Sequence, residues 1–231
     1  MYVLGHRGIP MLLKENTLPS LLKAIELGGD GIETDIRLTK DGVPVIIHDD
    51  NLLNFCGANI RIRDITFEEL TNYKDGEYTL PSLRELLDNL PPGKSINLEI
   101  KEYEAGEITV EFSKDYPGEV IYSSFDHKLI TELKYKYPTC KFGYLFGKEH
   151  LNLSIDQFIE LFKSRTYSAH LPVYGLKEHR ELLKDIVLTL HNLGIKIIFW
   201  TVNDKQEIKE IQSYVDYVIT DDVRIFVDNN R

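Results

Sequence analysis

The sequence contains only two cysteines, Cys56 and Cys140. Two cysteines are too few for a disulfide framework, and their wide spacing is not the C-x-x-C pattern of a zinc or redox site. Long apolar runs are also missing, since none approaches the roughly 20 residues that a membrane-spanning helix needs. The sequence therefore predicts neither a disulfide-stapled protein nor one stably inserted in a membrane.

Basic residues are outnumbered in this chain. With 27 Lys and Arg against 37 Asp and Glu, the formal net charge is -10. A general nucleic-acid binder must neutralise many phosphates, so this charge argues against a nucleic-acid partner. A small anionic substrate remains compatible, because a local group of cations or a metal ion is enough to bind it.

No basic leader precedes the first apolar segment. Residues 2–4 run directly into Gly5-His6-Arg7-Gly8, which leaves no room for a cleavable signal peptide. Removal of even about ten residues would delete the first strand and His6. We therefore expect a cytoplasmic protein, provided that those residues matter for its function.

Short β-rich runs alternate with longer helical patterns along the chain. The length of 231 residues is close to the roughly 250 of one (β/α)8 barrel, so we expect a single domain over residues 1–231. Such alternation indicates βαβ units and a parallel sheet. Eight strands are predicted: Tyr2–His6, Gly31–Leu38, Ser95–Ile100, Val120–Ser124, Cys140–Phe146, Tyr167–Leu171, Lys196–Val202 and Tyr214–Thr220. This count favours a closed (β/α)8 TIM barrel, although a doubly wound open sheet has the same alternation.

Helix signals lie between the predicted strands. An apolar pattern at helical spacing over residues 18–25 ends before a Gly-Gly pair. Ser82 with Glu85 three residues later predicts a capping box, and Ser154 predicts the cap of a helix that includes residues 158–162. Neither G-x-G-x-x-G nor G-x-x-x-x-G-K-[ST] follows a predicted strand, so nucleotide binding has no support.

The segment of about residues 43–80 breaks the alternation. Val43–His48 is a second apolar run soon after the turn dipeptide Asp41-Gly42, and it predicts a hairpin or side strand. Residues 49–80 have weak periodicity apart from a short helix predicted at Thr66–Tyr73. We interpret this segment, called the excursion below, as a short insertion over one face of the barrel, where loops carry function.

Several charged side chains stand on or directly after predicted strands, although a barrel interior is packed with apolar side chains. Glu33 and Asp35 are two residues apart, so both carboxylates project to one face of a strand. Like charges there are costly unless a cation relieves them, and Glu99 on a neighbouring strand can supply a third carboxylate. These residues predict a divalent-metal site. The alternative is a structural ion network in which Glu33 and Asp35 pair with Arg37 and Lys101.

Two histidines, His6 and His48, follow predicted strands and can converge on the same mouth of the barrel. Histidine donates and accepts protons near neutral pH, and cleavage of a phosphodiester needs both roles. Two ordinary histidines at a barrel rim are the alternative. Arg7 and Lys101 flank the cluster and predict phosphate contacts, for which a guanidinium is better suited than an ammonium. Either cation can instead be a salt-bridge partner.

These residues belong to an ordered series of short motifs. The series comprises His6-Arg7-Gly8, Glu15-Asn16-Thr17, Asp30-Gly31-Ile32-Glu33-Thr34-Asp35-Ile36, Thr39-Lys40-Asp41-Gly42, His48-Asp49, Leu98-Glu99-Ile100-Lys101, Ser124-Phe125, Trp200-Thr201-Val202-Asn203 and Ile219-Thr220-Asp221-Asp222. Each motif alone is weak, but their joint order and spacing from residue 6 to 222 are highly specific. In this series the sequence resembles the glycerophosphodiester phosphodiesterases.

The resemblance implies a (β/α)8 barrel that hydrolyses glycerophosphodiesters to glycerol phosphate and an alcohol, using Mg²⁺ or Ca²⁺. It also implies a role for each matching residue. The implied roles are acid/base catalysis for His6 and His48, metal binding for Glu33, Asp35 and Glu99, phosphate contact for Arg7 and Lys101, support of the site geometry for Asn16, and lining of the substrate cleft for Trp200.

Two other functions remain open. A lysophospholipase D-like phosphodiesterase acting on lyso-lipids would need an exposed apolar patch at the mouth, for which the excursion offers Leu52, Leu53, Phe55 and Phe67. A non-catalytic phosphodiester-binding barrel would usually lack a histidine or a carboxylate that this chain keeps. The excursion is short for the family, whose larger members carry a bigger insertion, so the preferred substrate is open. The sequence specifies neither the headgroup nor the oligomeric state.

Overall fold

The computed structural model describes residues 1–150, 155–163 and 166–227. A single sheet forms its centre. The strands are β1 Tyr2–His6, β2 Gly31–Leu38, β3 Pro44–Ile46, β4 Ser95–Ile100, β5 Val120–Ser124, β6 Lys141–Leu145, β7 Ser168–Pro172, β8 Lys196–Trp200 and β9 Tyr217–Thr220. Apart from β3, they are the predicted strands, with some ends shifted.

The eight long strands close into a barrel. They run parallel in the order β1-β9-β8-β7-β6-β5-β4-β2, and β1 also pairs with β2. In an open sheet, the strands at the two ends of this order would not pair with each other. Here β1 pairs with both β9 and β2, so the doubly wound alternative is wrong. The predicted (β/α)8 TIM barrel is confirmed. A closed barrel brings the carboxyl ends of all eight strands to one mouth, where functional residues of this fold gather.

Helices surround the barrel. They are α1 Leu18–Glu26, α2 Leu53–Cys56, α3 Phe67–Leu70, α4 Leu83–Asn89, α5 Ala105–Ser113, α6 His127–Lys136, α7 Ile155–Phe162, α8 Tyr174–Glu178 and α9 Arg180–Asn192. Within the described ranges, no helix is both long enough and apolar enough to cross a bilayer. The cytoplasmic location and the single-domain organisation stay predictions.

Local sequence signals explain where several helices begin and end. In α4, the Ser82 hydroxyl accepts the Glu85 backbone N–H at 3.1 Å, and the Glu85 carboxylate accepts the Ser82 N–H at 2.7 Å, which confirms the predicted capping box. Thr66 forms the same motif at α3. Chain reversal after α1 uses Gly28 at a φ of +96°, a conformation that suits glycine. The predicted cap at Ser154 lies outside the described residues.

Some predicted boundaries need correction. The last strand begins at Tyr217 rather than Tyr214, because residues Gln212–Tyr214 form a 3₁₀ turn. The predicted helix Thr66–Tyr73 contains only Phe67–Leu70, with Thr66 as its cap. The strand predicted to reach Val202 ends at Trp200. The remaining differences are shifts of one residue at strand ends, where backbone pairing rather than side-chain pattern sets the limit.

The excursion forms its own small layer over the rim. Its strand β3 pairs antiparallel with the end of β2, with Leu38 opposite Pro44, as the predicted side strand requires. Its apolar residues pack in a separate cluster of Val45, Ile47, Leu52, Phe55, Ile62, Leu70 and Leu80. This packing fixes the path of the chain after β3 and carries His48 to the carboxyl mouth of the barrel.

Candidate active site

Strand register brings the acidic residues together. His6 at the end of β1 lies opposite Glu33 of β2, and Asp35 of β2 lies opposite Glu99 of β4. Because Glu33 and Asp35 are two residues apart, they share a face of the strand. The structure therefore places the predicted residues of three strands side by side at the carboxyl mouth.

The three carboxylates form a compact group, called the acidic trio below. Glu33, Asp35 and Glu99 each offer an oxygen, and these oxygens lie within 4.8 Å of one another. All three side chains are buried, and Asp35 is completely inaccessible. The buried Oδ1 atom of Asp35 accepts no hydrogen bond from any residue that the structure describes. Such an arrangement of oxygen donors suits a hard divalent cation.

The trio is electrostatically crowded. Burial, reinforced by the Asp35 charge, raises the pKa of Glu33 to about 8. The pKa of Glu99 is raised by the same two causes. For Asp35, burial acts in the same direction, but the charges of Arg7 and Lys101 outweigh it and lower its pKa. Burial and mutual repulsion thus disfavour the charged forms of Glu33 and Glu99, whereas the neighbouring cations favour that of Asp35.

Two cations line the trio. The Arg7 Nε atom lies 3.2 Å from Asp35, and the Lys101 ammonium lies 2.5 Å from Glu99 and 3.5 Å from Asp35. The ion network considered from the sequence is therefore present at Lys101. It does not include Arg37, whose guanidinium lies 3.4 Å from Glu102 and donates to the His48 carbonyl. Phosphate contact by Arg7 and Lys101 stays a prediction.

His6 is held from two sides. Its Nδ1 atom lies 2.6 Å from the Asp221 carboxylate, and its Nε2 atom lies 4.0 Å from Glu33. The second Asp221 oxygen accepts the Asn203 amide at 2.6 Å. Burial alone would lower the pKa of His6, but the hydrogen bond with Asp221 and the charge of Glu33 outweigh it and raise that pKa.

His48 has a similar partner in a more open setting. Its Nδ1 atom lies 2.8 Å from the Asp49 carboxylate, whose other oxygen accepts the Asn54 amide at 2.6 Å. The side chain is 38% exposed, against 21% for His6. Burial lowers the pKa of His48, and the neighbouring carboxylates do not reverse the shift. The pKa of His6 is thus raised above the ordinary value for histidine, whereas that of His48 is lowered below it.

Asn16 lies beneath the acidic trio. Its amide donates to Asp35 at 3.0 Å, and its carbonyl accepts the Thr34 hydroxyl at 2.7 Å. Both Asn16 and Arg7 adopt a left-handed backbone, with φ of 56° and 51°, and the Asn16 N–H donates to the Arg7 carbonyl at 3.0 Å. Positive φ is uncommon outside glycine and concentrates at functional sites, where the surrounding contacts hold it.

Trp200 ends β8 at the same mouth. Its ring meets Phe125 edge-on with centroids 5.8 Å apart, and the Lys101 ammonium lies 5.8 Å from the centroid of Phe125. The Trp200 Nε1–H is buried and donates to no acceptor within residues 1–150, 155–163 and 166–227. A buried donor without a partner is costly. An acceptor on a bound molecule would relieve it.

A cleft of about 380 Å³ opens beside His48, between the loop after β1 and the excursion. Asn16 and Asp49 contribute to its wall. The two sides are joined by Lys14, which lies 2.8 Å from the Asp75 carboxylate and donates to the Phe55 carbonyl at 3.0 Å. The volume falls in the range of small-molecule sites.

Sequence comparison explains this combination of residues. The profile of the glycerophosphoryl diester phosphodiesterase family matches residues 6–225. The chain belongs to this family. A glycerophosphodiester phosphodiesterase of Caldanaerobacter subterraneus subsp. tengcongensis is 32% identical to it, over 95% of this chain and 93% of that protein. The resemblance and the enzyme class predicted from the sequence are confirmed.

Solved structures of this family show the same architecture. The glycerophosphodiester phosphodiesterase of Thermotoga maritima superposes with a TM-score of 0.89 and 40% identity, covering 98% of this chain and 96% of that one. A phosphodiesterase of Oleispira antarctica, solved with the product sn-glycerol-3-phosphate, gives a TM-score of 0.82 at 25% identity, covering 97% and 95%. The barrel of this family member is therefore similar to theirs over nearly its whole length.

Sequence reasoning assigned no role to the partners of the two histidines. Asp221, Asn203 and Asp49 were visible in the ordered motifs, whereas Asn54 belongs to none of them. A signal for Asp221 was available. Closure of a barrel must place the end of the last strand beside the end of the first, and therefore beside His6.

Proposed function

We propose that this family member hydrolyses glycerophosphodiesters to glycerol phosphate and an alcohol, with the help of a divalent cation. The observation that carries the proposal is the buried acidic trio, with His6 4.0 Å from Glu33 and His48 close enough to Asp35 to interact with its charge. Family membership supports the reaction class. The proposed substrate is a small molecule, and the negative net charge argues against nucleic acid.

Mg²⁺ or Ca²⁺ is the proposed cofactor, with Glu33, Asp35 and Glu99 as its ligands. Three carboxylates with oxygens within 4.8 Å of one another, and an Asp35 Oδ1 atom that receives no hydrogen bond from the described residues, fit a hard cation better than a softer metal. When bound there, such a cation supplies neutralisation of the phosphate charge. The raised pKa values of Glu33 and Glu99 support a site that is completed by a positive charge.

His6 and His48 are proposed to move the protons. In one route, the glycerol hydroxyl next to the ester attacks phosphorus while one histidine takes its proton and the other protonates the departing alcohol. Water then opens the cyclic phosphate, and the two histidines exchange roles. In the competing route, water attacks phosphorus directly. Both routes need a proton acceptor beside the attacking oxygen and a proton donor beside the leaving oxygen.

The remaining residues are proposed to hold the substrate and the trio in place. Arg7 and Lys101 would contact the phosphate oxygens, since both already lie within 3.5 Å of the trio. Asn16 would fix Asp35 through its amide. Trp200, which ends β8 and contacts Phe125, would line the part of the substrate site beside Lys101.

Deacylated substrates are favoured over lyso-lipids. Of the four apolar residues that the excursion offers, Leu52 and Phe55 are buried in its own cluster and Phe67 packs against that cluster. Leu53 is left largely exposed, at 53%. With the exposed Met11 and Leu12 of the loop after β1, it makes only a small apolar patch for docking on lipid. A binding-only barrel is disfavoured because both histidines and all three carboxylates are retained.

The test is activity on a panel of glycerophosphodiesters and lysophospholipids, after chelation and after addition of Mg²⁺ or Ca²⁺. We expect no turnover after chelation, recovery with the cation, and preference for the deacylated esters. A protein inert on every ester, or indifferent to chelation, would contradict the proposal. Phosphorus NMR during the reaction separates the routes, because only one of them passes through a cyclic phosphate.

A further inference from the structure

Both histidines use the same ring nitrogen for a carboxylate outside the acidic trio. His6 Nδ1 lies 2.6 Å from Asp221, and His48 Nδ1 lies 2.8 Å from Asp49. Because an ionised carboxylate only accepts, each hydrogen bond places the imidazole proton on Nδ1. The lone pair of the neutral ring is then on Nε2, and the His6 Nε2 atom is the one that faces Glu33.

Each of these carboxylates is in turn held by an asparagine. The second Asp221 oxygen accepts the Asn203 amide, and the second Asp49 oxygen accepts the Asn54 amide, both at 2.6 Å. The members come from separate parts of the chain, since Asn203 follows β8 whereas Asn54 belongs to α2. The same series of hydrogen bonds, from histidine to aspartate to asparagine, therefore occurs twice, on different elements of the fold.

The orientation of Asn203 is itself fixed. Its carbonyl oxygen accepts the Asp221 backbone N–H at 2.9 Å and the Thr220 hydroxyl at 3.1 Å. Only its amide nitrogen is then left to face the Asp221 carboxylate. Asn54 lies on the exposed face of the excursion, and its amide donates to Asp49 there.

We propose that Asp221 with Asn203 and Asp49 with Asn54 are positioning residues, which hold His6 and His48 in the Nδ1–H form with Nε2 directed at the substrate. The inference rests on the proposed function, because it assumes that both histidines transfer protons. A wrongly placed ring proton removes the base at Nε2 without removing the ring.

Replacement of the carboxylate by an amide gives a specific result. In Asp221→Asn, the new carbonyl must face the Asn203 amide, so the new NH₂ faces His6 Nδ1. A donor at that place forces the neutral ring into the Nε2–H form. Asp49→Asn follows the same logic with Asn54, although its exposed setting allows the new amide to turn more easily.

The experiment measures kcat and KM of the full chain at saturating Mg²⁺ for Asp221→Asn and Asp49→Asn. We expect a fall in kcat of about 10- to 100-fold with KM nearly unchanged, larger for Asp221→Asn. The matched controls are Asp222→Asn and Asp50→Asn. Asp222 binds Arg224, and Asp50 accepts the Asn51 amide, so both controls should keep wild-type kcat.

Nitrogen-15 NMR of the imidazoles gives a readout that a general structural defect would not produce. We expect Nδ1–H for His6 in the wild type and Nε2–H in Asp221→Asn. A wild-type ring protonated at Nε2 alone, or Asp variants that match their controls in kcat, would overturn the inference. If Asp221→Asn unfolds, Asn203→Ala replaces it, because Asn203 is exposed; it should lower kcat, and an unchanged kcat would count against the proposal.

The outcomes separate this inference from the proposed function. If His6→Ala and His48→Ala keep wild-type turnover, the proposed acid/base roles fail and the positioning roles fail with them. If those variants lose turnover while Asp221→Asn and Asp49→Asn keep it, the positioning roles alone are wrong.

Discussion

The barrel has buried or partly buried carboxylates at both of its mouths, but the number of hydrogen-bond donors and cations around each carboxylate differs. At the amino-terminal mouth, the Glu119 carboxylate accepts the hydroxyls of Tyr167 and Tyr217 at 2.9 and 2.8 Å and the Lys141 ammonium at 2.5 Å. The Ser95 hydroxyl donates to it at 3.1 Å. One charge is thus surrounded by four donors.

At the carboxyl mouth, three carboxylates share the side chains of Arg7 and Lys101, the Asn16 amide and the Arg7 backbone N–H. The consequence is visible in their pKa values, since that of Glu119 is lowered whereas those of Glu33 and Glu99 are raised. The carboxylate is therefore stabilised in its ionised form by the protein at one mouth, whereas two of the three carboxylates at the other mouth are disfavoured as anions. Chemistry that stabilises the fold is kept apart from chemistry that binds, as expected of the two faces of this barrel.

The largest expected effect is on activity at the carboxyl mouth. If the proposed roles hold, His6→Ala and His48→Ala should each lower kcat by on the order of 10²–10⁴-fold, because each would remove a proton-transfer group. Steady-state assays on a glycerophosphodiester with Mg²⁺ measure this, and circular dichroism checks that the variants fold. The control at the other mouth is Tyr217→Phe, which should keep wild-type kcat. Near-wild-type turnover in either alanine variant would reject that histidine's role.

A second effect links the acidic trio to stability. Because a ligand stabilises the state that binds it, Mg²⁺ at about 100 times its Kd should add roughly 2.7 kcal/mol to the free energy of unfolding. Asp35→Asn should lose at least about 10-fold in Mg²⁺ affinity and so raise the Mg²⁺ concentration needed for activity. Thermal melts with and without Mg²⁺ measure the shift, with Glu119→Gln as the control that keeps it. An equal Mg²⁺ response in Asp35→Asn would argue against Asp35 as a ligand.

The parts of this fold that were predictable are those encoded locally. The strands β1, β2, β4 and β5 have the predicted bounds, because each is a short β-rich run that is followed by polar or turn residues. Convergence of Glu33, Asp35 and Glu99 followed from the period of a strand and from neighbouring strands in a barrel. The strand period and the order of strands in the barrel were therefore sufficient to predict the acidic trio.

The contacts that escaped prediction depend on the completed fold. Asp221 is 215 positions from His6, and only barrel closure brings them together. Asn54 reaches Asp49 because the excursion packs its own apolar cluster, whose internal arrangement has no simple periodicity. The Glu119 cluster was missed for a related reason. Its four donors lie at the starts of four different strands, with Tyr167 directly before β7, and nothing in their separate sequences marks them as partners.

At the amino-terminal mouth the expected effect is on stability alone. Glu119→Gln removes the charge that Lys141 and the two tyrosine hydroxyls share, and should cost about 1–2 kcal/mol of unfolding free energy while kcat stays at the wild-type value. Urea denaturation measures the cost. The matched surface control is Glu111→Gln, whose carboxylate binds Lys114 on an exposed helix face and should change stability little. A large loss of kcat in folded Glu119→Gln would contradict the claim that the amino-terminal mouth affects stability and not activity.

The smallest expected effect is the pH dependence of the unfolding free energy that is lost in Glu119→Gln. Burial would raise the pKa of Glu119, but the hydrogen bonds from Lys141, Tyr217 and Tyr167 outweigh it and lower the pKa from 4.5. A lowered folded-state pKa stabilises the fold above the unfolded value, and this contribution is lost as the pH falls through the folded-state pKa. The stability difference between wild type and Glu119→Gln should therefore be full at neutral pH and shrink below about pH 4.5. Urea titrations of both proteins from pH 7 to about pH 3 measure it. A difference that stays constant over that range would mean that the Glu119 charge contributes nothing, and that the two mouths differ in geometry rather than in electrostatics.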